Sequence, residues 1–155
     1  MRLAYKKIMK GFTKNQVKDI LDRFTVNFTY ESNAIEGSSL TLKDVTLILG
    51  ENIVPKDKDL REVYETRNTR EVVSLLFNNK IKVNIKEIIK IHALLVKDTG
   101  VSTGFKKLPN YIVMRDLKTT PPEKIEQEMS DLISWYEKNK KKLHPLRLAT
   151  EFHAC

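Results

Sequence analysis

Residues 13–37 read TKNQVKDILDRFTVNFTYESNAIEG, and this stretch decides the fold. Thr13 to Gln16 has the form of a capping box, in which the Thr hydroxyl takes the amide three residues on and the Gln side chain returns to the Thr amide. Phe12 and Val17 stand where a hydrophobic staple places its two members. Val17, Ile20, Leu21, Phe24 and Phe28 then recur at spacings of three and four, which predicts a helix with one inward apolar stripe. The helix can run to about Glu36, because Gly37 accepts the left-handed backbone of the residue after a helix without a Cβ penalty.

Outward from it, Ser38, Ser39 and Thr41 form a turn, and Thr41 to Asp44 caps a short helix through Val45, Ile48 and Leu49 that is expected to end at Gly50. A polar loop with Pro55 leads to a long helix over about 59–78 with Leu60, Val63, Tyr64, Leu75 and Leu76 inward. Asn84, with Glu87 three residues on, opens another, whose stripe is Ile85, Ile88, Ile89, His92, Leu95 and Val96. Between Gly100 and Pro121 the pattern breaks around Tyr111-Ile112-Val113-Met114, a short β-prone run that predicts a loop or small hairpin. Pro121 and Pro122 open a helix that turns Ile125, Met129, Leu132, Ile133 and Tyr136 inward, and Pro145 begins a last one with Leu146, Ala149 and Phe152. The fold class is therefore all-α: a bundle of about six helices with one small hairpin insert.

Composition agrees with a folded chain. Of 155 residues 41% are hydrophobic, too many for wholesale disorder. The net charge of +8 raises an anionic partner, but outside Lys138, Lys140, Lys141 and Lys142 the basic residues are mixed with Asp and Glu. That cluster reads as a solvated helix end, and with no helix-turn-helix, zinc or RNA-binding signature nucleic acid is not the expected partner. A lone Cys155 rules out an intrachain disulfide and a Cys-based zinc site, and is read as an incidental thiol. His144 and His153 have no third ligand at metal spacing, so no metal is expected, while His92 on its apolar face reads as a packed residue. No apolar run approaches the ~20 residues that span a bilayer. The basic first ten residues are not followed by the apolar segment of a secretory signal, so the expected location is cytoplasmic, away from membranes.

Ser32 and Glu36 are four apart and project from one face at the end of the first helix. A carboxylate there opposes the negative end of the helix dipole and asks for a cationic partner; the plain alternative is an exposed Glu on a surface helix. Ser32-Asn33-Ala34-Ile35-Glu36-Gly37 resembles the inhibitory motif (S/T)-x-x-x-E-(G/N) of Fic proteins, in the class whose inhibitory helix precedes the Fic core. The resemblance continues in order. Asn33 to Thr41 is similar to the family's NxIEGNxLT segment, Ile91-His92 with Leu94-Leu95 to the LH..L helix, and Gly104 to Lys107 to the G.(Y/F)R turn. Pro121-Pro122 with Met129, Leu132, Ile133 and Trp135 is similar to the PP…M..L..W helix, and Pro145 to His153 to the helix leading into the catalytic loop.

Such a resemblance implies transfer of AMP from ATP, with Mg2+, to a Ser, Thr or Tyr hydroxyl of a protein substrate. It makes Ser32, Glu36 and Gly37 an inhibitory motif, with Glu36 pairing an arginine of the catalytic loop. It also makes Asn110, Tyr111, Ile112 and Val113 part of a flap that docks the target in β-fashion. The family's loop H-P-F-x-(D/E)-G-N-G-R-x-x-R occurs nowhere in the 155 residues, so no catalytic residue is assigned. The chain is accordingly read as the first part of a Fic protein, with 1–58 as the region of the inhibitory helix and 59–155 as the beginning of the core with its flap. It is incomplete at the C-terminus and expected to be inactive alone, without productive ATP or Mg2+ binding. Partly uncovered Leu146, Ala149 and Phe152 would favour association, including with a second copy. The competing reading is a non-catalytic regulatory or protein-binding helical module.

Overall fold

In a computed structural model of the chain, which describes residues 11–78, 81–110 and 119–154, Thr13 caps the first helix as its sequence requires. Gln16 Oε1 accepts the Thr13 amide at 2.9 Å and Thr13 Oγ1 accepts the Gln16 amide at 3.3 Å, so two otherwise orphaned donors are satisfied at once. Helix α1 spans Lys14–Ile35. The same device recurs at Thr41 and Asp44, whose reciprocal bonds of 2.9 and 3.2 Å start the short helix α2, Leu42–Thr46. Helix α3 is Leu60–Phe77, with the Asp59 carboxylate accepting the Arg61 amide at 2.8 Å. Helix α4 is Ile85–Leu95, opened by Asn84 Oδ1 accepting from the Glu87 amide at 2.9 Å. A 3-10 turn at Pro122–Lys124 leads into α5, Ile125–Asn139, and α6 is Pro145–Ala154.

The described residues contain six α-helices and no strand, which makes the protein all-α. Asn110 is described, whereas Tyr111, Ile112 and Val113 of the expected flap lie outside the described residues. Among the described residues no helix is long and apolar enough to cross a membrane.

The chain divides into two compact units, one from residues 1–81 and 91–102 and the other from 82–90 and 103–155. In the first, α1 packs on α2 and α3. Its core is Leu40, Val45, Ile48, Leu49 and Val63, with Val26 and Tyr30 of α1 against them. In the second, α5 packs on α6, and Tyr136 meets Phe152 edge to face at 5.8 Å. The lysine cluster lies exposed at the end of α5, where cations complement the helix dipole.

Three expectations are corrected. The apolar stripe of α1 is not its buried face: Ile20, Phe24 and Phe28 are exposed, and Thr29 is the one fully buried residue of the helix. The packed face runs through Val26, Thr29, Tyr30 and Asn33, where side chains of mixed polarity meet α3, while Phe24 stacks on Phe28 and meets the edge of Phe77. On α3, Leu60 and Leu76 are exposed, and the buried set is Val63, Thr66, Asn68, Thr69, Val72 and Val73. The helix after Thr41 does not stop at Gly50 but widens into a π turn, Leu47–Glu51, closed by Asn52 at φ 57°. The Arg70 guanidinium donates to the Leu49 carbonyl from α3, which satisfies a carbonyl that a regular helix would have used internally.

Candidate functional site

The end of α1 is built as a Schellman motif. Gly37 adopts φ +89°, its amide donates to the Ala34 carbonyl at 3.1 Å, and the Ser38 amide donates to the Asn33 carbonyl at 3.0 Å. Glu36 is the C-cap residue of this end. Its side chain is exposed and makes no hydrogen bond or ion pair among the described residues, and the neighbouring Ile35 is 83% exposed. Ser32 is half-buried one turn earlier. The structure therefore presents Glu36 outward on a closed helix end, with no cation paired to it among the described residues.

Long-range bonds fix that end to the rest of its unit. Asn33 Nδ2 donates to Thr66 Oγ1 of α3 at 3.2 Å. Glu62, one turn earlier on α3, takes the Ser39 amide on Oε1 at 2.6 Å and the Ser39 hydroxyl on Oε2 at 2.7 Å. Burial pushes the Glu62 carboxyl up, but the bonds from Ser39 and Ser38, with Lys58 nearby, outweigh it and hold the group below its ordinary value. Lys58 Nζ in turn donates to the Ser39 carbonyl at 2.9 Å.

The resemblance points to Ser32, Glu36 and Gly37 as the inhibitory motif and includes Asn33 without a role, while Glu62, Thr66 and Lys58 lie outside it. Asp59 and Glu62 are spaced as the two ends of a capping box, which makes the Glu look like a local helix cap. In the structure Asp59 caps α3 while Glu62 reaches across to Ser39.

On the second unit, Thr119 Oγ1 donates to the Asn110 carbonyl at 2.9 Å and accepts from Lys106 Nζ at 2.9 Å. Lys106 lies in the Gly104 to Lys107 turn, where Gly104 adopts φ +86°. This ties Asn110 to the polypeptide that returns at Thr119.

Comparison with known proteins finds similarity to one family. The sequence profile of the Fic/DOC family matches residues 82–155. A curated relative, protein adenylyltransferase Fic of Nematostella vectensis, is 26% identical over 129 residues, which cover 80% of this chain and 30% of the relative. Over residues 82–155 the chain is similar to proteins of the Fic/DOC family.

Two solved Fic structures share its fold. A Fic-domain-containing signalling protein from Bacteroides thetaiotaomicron superposes with a TM-score of 0.81 at 21% identity, covering 97% of this chain and 60% of the other. A Fic family protein from Desulfovibrio desulfuricans gives 0.72 at 22% identity, covering 97% of this chain and 46% of the other. The chain thus spans 30% of the length of this curated relative. Among the described residues no three His, Cys, Asp or Glu side chains come together to hold a metal ion.

Proposed function

We propose that this chain contributes to protein AMPylation, the transfer of AMP from ATP to a Ser, Thr or Tyr hydroxyl of a protein, and that its part is restraint by Glu36. What carries the reading is the state of Glu36, an exposed carboxylate without a partner among the described residues, on a helix end closed by Gly37. A carboxylate presented in this way is set to accept an arginine fork from a surface that the described residues do not include. The family match and the relative named as an adenylyltransferase support the reaction class.

The transferring machinery, with ATP and Mg2+, belongs to residues outside this sequence, because none of its segments carries the histidine and glycine-rich loop that would supply a base and an anion cradle. By itself the chain is inactive in this reading, and its work is cytoplasmic. The exposed Leu146, at 74%, favours engagement of a further polypeptide, including a second copy of the chain.

The decisive experiment uses the protein encoded by a reading frame that continues through the histidine and GNGR loop. There, Glu36→Gly raises AMP incorporation from labelled ATP, whereas the 155-residue chain alone incorporates none. Equal labelling with and without the substitution removes the inhibitory assignment, and labelling by the chain alone removes its inactivity.

A further inference from the structure

Glu36 stands midway between two attachments to α3. Three residues before it, Asn33 bonds Thr66; three residues after it, Ser39 is held by Glu62. The two anchors on α3 are four residues apart, so they lie on one face and present a matched pair of fixings to the end of α1. Between Glu36 and Ser39 lie only Gly37 and Ser38, and both of their amides are bonded back to Ala34 and Asn33. Ser39 itself is gripped at every polar group: amide and hydroxyl by Glu62, carbonyl by Lys58.

We propose that Glu62, acting through Ser39, is the positioning residue of the Glu36 segment, setting where the exposed carboxylate stands and how firmly it is held. The inference rests on the reading of Glu36 as an inhibitory residue. It goes beyond that reading by placing control of the inhibitory segment in a residue of another helix, 26 positions away along the sequence. The first turn of α3 suits such a group, since the helix N-terminus favours a carboxylate while Ser39 supplies two donors to its two oxygens. A chain whose Glu62 cannot hold Ser39 keeps its helix cap at Gly37 but loses the fixing on the far side of Glu36. An arginine meeting Glu36 would then meet a carboxylate spread over many positions, at an entropic cost to the pair.

The test uses the full 155-residue chain, labelled with nitrogen-15, and reads amide exchange together with backbone order parameters. In Glu62→Ala the Ser38 and Ser39 amides exchange about 10-fold faster or more, as loss of a charge-assisted bond requires. The order parameters of Glu36 and Gly37 fall from the rigid range of about 0.85 toward 0.6. Glu62→Gln, which keeps one acceptor oxygen, restores part of the protection, and Glu65→Ala, which removes only a partner of Arg61, changes nothing at 36–39. Ser39→Ala deletes the hydroxyl arm alone and serves as the milder variant should Glu62→Ala not fold. The proposal is overturned if folded variants unfold at lower urea yet keep Glu36 and Gly37 as ordered as in the parent chain, because Glu62 would then be structural only. Glu36→Ala leaves the exchange rates at their parent values. A failure of the inhibitory reading would appear separately, as unchanged AMP labelling on Glu36→Gly, with the exchange results untouched.

Discussion

Lys58 lies 3.5 Å from the Asp44 carboxylate while it donates to the Ser39 carbonyl at 2.9 Å, so one ammonium joins the cap of α2 to the turn that follows Glu36. Two carboxylates frame this ammonium. Asp44 is held below its ordinary value, first by the Thr41 amide, then by the Thr41 hydroxyl and Lys58, against the opposing effect of burial. Glu62 is pushed up by burial but brought below its ordinary value by the bonds from Ser39 and Ser38 and by Lys58.

The sign of the pH dependence follows. Both groups bind protons more weakly folded than unfolded, so their stabilisation is complete above the unfolded values near about 4 and is lost as pH falls through the depressed folded ones. The urea midpoint should therefore hold steady from about pH 7 to 5 and decline from about pH 5 toward 3. Asp44→Asn with Glu62→Gln should flatten that decline. An equally steep loss in the double variant would assign the acid sensitivity to other carboxylates. Added salt should weaken the 3.5 Å pairing of Lys58 with Asp44 more than the short bonds from Ser39 to Glu62.

Gly37 tests the helix end itself. At φ +89° an L side chain is strained, while a Cβ placed there meets no heavy atom within 4 Å. The cost of Gly37→Ala is thus conformational alone, about 1–2 kcal/mol, and Gly37→Asn should cost less because Asn tolerates the left-handed region. Urea unfolding with an unchanged m-value checks this. A loss well above that range would point to a steric clash that the structure does not contain.

Asn68 is a buried polar side chain with a single task. Its Nδ2 donates to the Leu95 carbonyl at 3.0 Å and the Lys97 carbonyl at 2.7 Å, closing the end of α4 with bonds that the helix cannot make for itself. Asn68→Ala leaves two carbonyls without a donor and should cost about 1–3 kcal/mol. Asn68→Asp should be worse, since it sets a carboxylate against both oxygens. Thermal unfolding followed by circular dichroism measures the order of the two variants, and a neutral Asn68→Ala would show that water replaces the side chain without loss.

What the sequence made legible was local. The capping boxes at Thr13 and Thr41 and the turn at Gly37 involve residues three or four apart, and side chains that close on neighbouring amides behave alike wherever the chain goes. Glu36 could be picked out because its whole motif lies within six residues. The contacts that fix it could not. Glu62 and Ser39 are 23 residues apart, Asn33 and Thr66 are 33, and each side chain also has an innocent local reading. The same limit misdirected the stripe of α1: counting apolar residues favours Ile20, Phe24 and Phe28. The packed face instead includes the buried Thr29 and the half-buried Asn33, which bonds Thr66 of α3. Periodicity reports where hydrophobic residues are dense, and here the packed face is the less hydrophobic one.

Glu36 offers the last prediction, and its sign is unusual. Its carboxylate sits at the negative end of a 22-residue helix that carries no basic residue in its last turn, and no cation among the described residues answers it. Removing the charge should therefore stabilise the chain: Glu36→Gln should raise unfolding free energy by about 0.3–1 kcal/mol at low ionic strength. The gain should shrink toward zero as salt approaches about 1 M, where the screening length is about 3 Å. Urea unfolding at two salt concentrations reads both effects. If Glu36→Gln is instead destabilising, the carboxylate has a partner within this fold, and the case for its meeting an arginine elsewhere is lost. If the gain is found, the charge opposes the stability of the helix that carries it, and what offsets that cost must come from a cation brought by another surface.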